Sequence, residues 1–122
     1  MTTTDRELLE RAAKAAGYTL KWGDVYMVGD DEVDCTDQPY VASGQPDEAD
    51  WYWNPLHDDG DALRLAVKLG LVVDTDASRI DGRCTCVGGR DGYLAHEAHN
   101  SDPCAATRRA IVRAAAMAGE GE

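Results

Sequence analysis

Between Asp24 and Asp61 the chain carries twelve acidic residues and no lysine or arginine. They are Asp24, Asp30, Asp31, Glu32, Asp34, Asp37, Asp47, Glu48, Asp50, Asp58, Asp59 and Asp61. Carboxylates this dense repel one another over a screening length of about 8 Å at physiological salt. A chain that tolerates such repulsion with no base nearby is expected to use the field for steering. What flanks this segment is electrically balanced: residues 1–23 hold three acids and four bases, and residues 62–122 hold eight of each. The net charge of −11 is thus a property of the middle of the chain. A general nucleic-acid binder needs a basic face to neutralise phosphates, and a polybasic membrane anchor needs one for anionic lipid, so both classes are excluded. With 122 residues there is room for one domain, expected over residues 1–122. There is no Phe, so three Trp and five Tyr must supply the aromatic packing. No apolar run approaches the roughly 20 residues of a membrane span, and the N-terminus has neither the basic nor the apolar region of a signal peptide.

The hydrophobic period then divides the chain into elements. Thr4 and Glu7 make a capping box for a helix over about Asp5–Ala16, with an apolar stripe of Leu8, Leu9, Ala12 and Ala16 and a left-handed stop at Gly17. Tyr18, Leu20 and Trp22 alternate as a strand. Val25–Val28 and Glu32–Cys35 flank a turn at Gly29–Asp31, a hairpin pattern. Residues 36–50 predict an irregular acidic loop, and Trp51–Trp53 an extended segment broken by Asn54-Pro55. A second helix is predicted over about Asp59–Leu69, capped by Asp58 or Asp59 and stopped by Gly70. Leu71–Val73, Cys84–Val87 and Tyr93–His96 predict short strands, the last two joined by the turn Gly88–Gly92. Asp102 followed by Pro103 opens a third helix. Its predicted inner face is Cys104, Thr107, Ile111, Ala114, Ala115 and Ala118, with Arg108, Arg109 and Arg113 outward and a frayed tail at 119–122. Hairpin-joined strands between helices predict an α+β fold, a mostly antiparallel sheet sandwiched with helices in the order α-β-β-α-β-β-α.

Several segments carry a likeness to known sequences. Trp53-Asn54-Pro55 precedes Asp58-Asp59-Gly60-Asp61-Ala62, Leu65 and Lys68-Leu69; later come Asp102-Pro103-Cys104-Ala105-Ala106 and Arg109-Ala110-Ile111. This pattern resembles the phage α/β/α-sandwich domain family, over roughly residues 15–118. It departs from the family in the spacing of Cys104 from Arg109 and in the long acidic insert. The resemblance implies a small phage-encoded accessory protein acting in the cytoplasm of an infected bacterial host, and implies no catalytic activity.

Three candidate sites follow from the residues. The acids Asp24, Asp30, Asp31, Glu32, Asp34, Asp37, Asp47, Glu48 and Asp50 would imitate a phosphate array if gathered on one face, since duplex DNA places a charge every ~1.7 Å of its axis. Such a surface would steer the protein onto a basic groove of a host defence complex, CRISPR–Cas being the type, with no direct nucleic-acid or membrane partner. The plainer alternative is a solvating loop. Trp51, Trp53, Arg108, Arg109 and Arg113 are a second candidate, a pocket sequestering a nucleotide signal; core packing and surface ion pairs are the alternatives, as is a homodimer contact with the acidic segment. Cys84, Cys86, Cys104 and His96 raise the question of zinc, but Cys-Thr-Cys is not a zinc-knuckle spacing and His96-Glu-Ala-His99 is not the metalloprotease motif, so no metal or other cofactor is predicted. Asp58-Asp-Gly-Asp61 alone is a weak calcium signal. No nucleophile elbow, Walker or Rossmann fingerprint occurs, and the chain is not expected to be an enzyme.

Overall fold

The computed structural model describes residues 4–23, 25–28, 30–34, 39–42, 51–79, 82–89 and 92–120. Eleven elements follow one another in these residues: α1 (Asp5–Ala16), β1 (Thr19–Trp22), β2 (Val25–Val28), β3 (Asp31–Asp34), β4 (Pro39–Ala42), β5 (Trp51–Tyr52), α2 (Asp59–Leu69), β6 (Val72–Arg79), β7 (Gly82–Gly89), β8 (Gly92–Ala98) and α3 (Pro103–Glu120). The strands form antiparallel sheets in the orders β1-β4-β5, β2-β3 and β6-β7-β8. The fold is α+β, with helices packed on antiparallel sheets. Among the described residues no helix is long and apolar enough to cross a membrane.

The helix ends are where local chemistry puts them. Thr4 accepts the amide of Glu7 at 3.2 Å, Asp58 accepts that of Asp61 at 2.8 Å, and Asp102 accepts that of Ala105 at 3.0 Å. Each satisfies an amide that the first helical turn leaves without a partner. Gly17 and Gly70 stop α1 and α2 at φ of 79° and 64°, a conformation that costs a residue with a Cβ.

Helix α3 is the hub, packing at once against α1, α2, β7 and β8. It is therefore buried on more sides than one stripe allows. Ala110, Ile111, Val112, Ala114, Ala115 and Ala116 are all buried, whereas Ala118 and Cys104, expected on its inner face, are exposed. Small side chains make this double packing feasible: Ala12, Ala13 and Ala16 of α1 and four alanines of α3 let the helices approach closely. Leu65, Val41, Trp53 and Leu56 complete the core from α2, β4 and the segment after β5, and Val87 and Ala95 from the β7–β8 hairpin.

The structure corrects the expected strands in three places. The 36–50 segment is not irregular throughout, because Pro39–Ala42 is the middle strand of its sheet, with β1 on one side and β5 on the other. Proline at the first strand position loses no ladder bond there, and its carbonyl accepts the Trp53 amide at 3.2 Å. The first hairpin turn is tighter than Gly29–Asp31, since Asp31 already pairs with Val28. Finally, β6 runs six residues past Val73, through Asp74 and Asp76 to Arg79.

Candidate functional site

The acidic region separates into two classes of carboxylate. Asp58, Asp59 and Asp61 each engage a partner within the fold. Asp61 is 7% exposed; its carboxylate accepts the Asn54 amide at 2.9 Å and the Arg64 guanidinium at 2.7 Å. That pairing, with Asp58 beside it, holds the Arg64 guanidinium above its ordinary pKa. Asp58 caps α2, and Asp59 receives Arg108 at 2.6 Å. These three aspartates therefore pin the Asn54-Pro55 break and the start of α2, and a calcium role for Asp58–Asp61 finds its carboxylates already engaged. Asp61→Ala is expected to cost about 1–3 kcal/mol, because it strands a partly buried amide. Asp59→Ala, at an exposed carboxylate, is expected to cost under about 1 kcal/mol. Urea denaturation of the two variants checks the difference.

Four of the other nine acids fall within the described backbone. Asp30 is exposed at the β2–β3 turn, and Asp31, Glu32 and Asp34 run along β3, opposite Val28, Met27 and Val25 of β2. This hairpin is a sheet of its own. Asp24, Asp37, Asp47, Glu48 and Asp50 fall outside the described residues.

The aromatic and arginine candidates have structural partners. Trp53 is 2% exposed and Trp51 43% exposed. Both meet the Tyr18 ring edge-on, at centroid distances of 5.6 and 5.9 Å, a favoured arrangement for aromatic pairs. The three arginines of α3 all pair with acids, Arg108 largely covered and Arg109 and Arg113 half-exposed. Arg108 donates from Nε to the Leu56 carbonyl at 2.9 Å and from Nη1 to Asp59, with its side chain only 16% exposed. Arg109 reaches Asp5 of α1 at 3.0 Å and Glu97 of β8 at 3.3 Å. Arg113 reaches the same Glu97 at 3.3 Å and the His96 carbonyl at 3.0 Å. Guanidinium suits this task because its fork of donors serves several acceptors at once. The cluster ties α3 to α1, to β8 and to the start of α2.

A polar relay that the sequence reading missed fixes the first turns of the same helix. Thr107 donates its hydroxyl to the Pro103 carbonyl at 2.9 Å, so its oxygen accepts the Thr85 hydroxyl at 2.8 Å. Thr85 oxygen in turn accepts His99 Nε2–H at 2.8 Å, which sets the His99 tautomer. Thr85 is fully buried, and this chain satisfies it.

Beside the relay a cleft of about 430 Å³ opens between α2, β6 and α3. Ala62, Leu63, Val73, Pro103 and Ile111 give it apolar walls; Asp59 and Arg108 stand at it as an ion pair, and the Cys104 thiol borders it. Its size suits a small ligand. A phosphate would meet an arginine already bound to a carboxylate.

Among the described residues the other two cysteines, Cys84 and Cys86, are on β7. Thr85 faces α3, and Glu97, its cross-strand partner, pairs with arginines of α3. By strand alternation Cys84, Cys86, His96 and Asp74 share the opposite face. Both cysteines are reduced thiols, with sulfurs 3.9 Å apart. Among the described residues no three His, Cys, Asp or Glu side chains are gathered closely enough to hold a metal ion. The Tyr93 phenol, hydrogen-bonded to Asp74 at 3.3 Å, is held above its ordinary pKa chiefly by the Asp74 carboxylate. No family model matches the chain, nor does any curated protein or solved structure.

Proposed function

We propose that the chain is a non-catalytic binding protein that docks an acidic surface, built from residues 24–50, onto a basic nucleic-acid-binding groove of a partner. In the fullest form of this reading it is a phage-encoded inhibitor of a host defence complex of the CRISPR–Cas kind, imitating the phosphate array of DNA. The observation that carries it is the division of charge. Arg64 and Arg108 are engaged by Asp58, Asp59 and Asp61, and Arg109 and Arg113 by Asp5 and Glu97. The other nine acids of residues 24–50 lie in a stretch of sequence with no base of its own. A field of one sign is costly within a fold and useful between molecules, where it speeds and orients association.

The test is the variant carrying Asp30→Asn, Asp31→Asn, Glu32→Gln and Asp34→Asn. Capture of the partner from host lysate is expected to fall at least about tenfold, the loss set by removing four charges from the contact, with the melting temperature unchanged. Capture by the native protein is expected to weaken steeply as salt rises from low to physiological strength. Undiminished capture by the folded variant overturns the reading. A second reading, sequestration of a small ligand, is favoured by the cleft at Arg108. It requires a nucleotide to raise the melting temperature of the native protein but not of Arg108→Ala.

A further inference from the structure

We propose that the cleft between α2, β6 and α3 is a binding site for an uncharged, apolar small molecule. The place of the ligand is that of the second reading above, on which this rests; its charge is not. At about 430 Å³ the cleft is nearly three times the size of the roughly 150 Å³ cavity that suffices for benzene. Two fused rings with a substituent, or an alkyl chain of like size, fit it. Ala62, Leu63, Val73, Pro103 and Ile111 line it, so that three elements bound it, the enclosure of a small-molecule site rather than of a flat protein contact. Leu63 is 63% exposed although large and apolar, so the cleft leaves a leucine in water that a ligand would cover.

The class of ligand follows from what the polar side chains at the cleft already do. The Thr107 hydroxyl donates to the Pro103 carbonyl and accepts from Thr85. His99 gives its Nε2–H to that same Thr85. Arg108 commits Nε to the Leu56 carbonyl and Nη1 to Asp59, whose charge it balances. Thr75 is exposed to solvent. Among the described residues no buried side-chain nitrogen or oxygen is left without a partner. A charge or hydrogen-bonding group on the ligand would therefore leave water without finding a waiting partner in the walls, which is unfavourable. An anion reaches Arg108 only by displacing Asp59, and that exchange gains no ion pair. Carbon, by contrast, gains on burial in proportion to the area removed from water.

Phenylnaphthylamine, a neutral dye that fluoresces in apolar surroundings, is the probe. Anilinonaphthalene sulfonate, the same rings bearing a sulfonate, is its anionic counterpart. Both are titrated into the full chain at high salt, where its net charge of −11 is screened. One equivalent of the neutral dye is expected to bind and to raise the melting temperature. The sulfonate should bind at least about tenfold more weakly, for want of a free partner. Cys104 is exposed and borders the cleft, so bound dye should slow its alkylation by iodoacetamide, read by peptide mass spectrometry. Alkylation of Cys86, on the other face of the sheet, should not change. Leu63→Gln, at an exposed position, should weaken the neutral dye at least about fivefold and leave the melting temperature of the free protein unchanged. Sulfonate binding as tight as that of the neutral dye overturns the proposal. So does neutral-dye binding that neither protects Cys104 nor weakens in Leu63→Gln, because the dye then sits elsewhere. If the neutral dye fails to bind while a nucleotide raises the melting temperature, the proposal falls and the second reading stands; if neither binds, both fall.

Discussion

Trp53→Ala is expected to cost about 3–5 kcal/mol, the range for truncating a large aromatic side chain in a core, while Trp51→Ala costs under about 1 kcal/mol. The two tryptophans are separated by one residue and meet the same Tyr18 ring, so sequence and contact partner are nearly matched. What differs is water. Trp53 retains 2% of its surface and Trp51 43%. Truncating Trp53 removes an indole from between the β1-β4-β5 sheet and the core and leaves a void that Val41 and Leu56 can only partly close. Trp51 leaves an open surface that solvent refills at once. Equilibrium denaturation of both variants decides the matter. Equal losses would mean that Trp51 is as much a part of the core as Trp53. A small loss at Trp53 would mean that the side chain is held for a ligand rather than for packing.

The comparison also shows what was legible in the sequence. Periodicity and capping chemistry locate α1 and α2 to the residue, because Thr4, Asp58, Gly17 and Gly70 each satisfy a local need that is independent of the rest of the fold. The hairpins β2–β3 and β7–β8 were legible for a related reason: their partners are adjacent in sequence. Strand β4 was not. Its partners β1 and β5 lie well before and after it in the chain, and the Gln38-Pro39 pair reads locally as a turn. The same limit applies to the candidate site. The twelve acids were visible as a group, but their division was not. Asp61 becomes structural only because the Asn54 amide and Arg64 converge on it. Arg108 reads as part of an outward stripe because a helical wheel contains no information about the Leu56 carbonyl and the Asp59 carboxylate that meet it. The pairing of Cys86 with His96 depends on a bulge in β8, where Val87 faces Ala95 but Gly88 faces Tyr93, which leaves Leu94 over.

That bulge makes Gly88→Ala the other large effect. A two-against-one step bends the bulged strand and brings its backbone toward its partner. A Cβ on Gly88 would lie 2.5 Å from the Tyr93 Cα and would overlap the Gly92 carbonyl. Every atom it meets belongs to backbone, so no side chain can swing aside, and β8 itself must move. Overpacking of this kind typically costs about 1–3 kcal/mol and more where the surroundings are rigid, so about 3 kcal/mol is the expected loss. The neighbouring glycine is the control. Gly89 has open space where its Cβ would go, and Gly89→Ala is expected to stay within about 1 kcal/mol of the parent, on either side. The backbone of Gly88 is not in the left-handed region, so the cost is steric and not conformational. Replacing Gly88 by serine, which adds the same Cβ, should be no better tolerated than alanine. Urea denaturation separates these outcomes. A Gly88→Ala protein as stable as Gly89→Ala would show that β8 does not approach β7 as closely as the bulge requires, and would remove the register that places His96 beside Cys86.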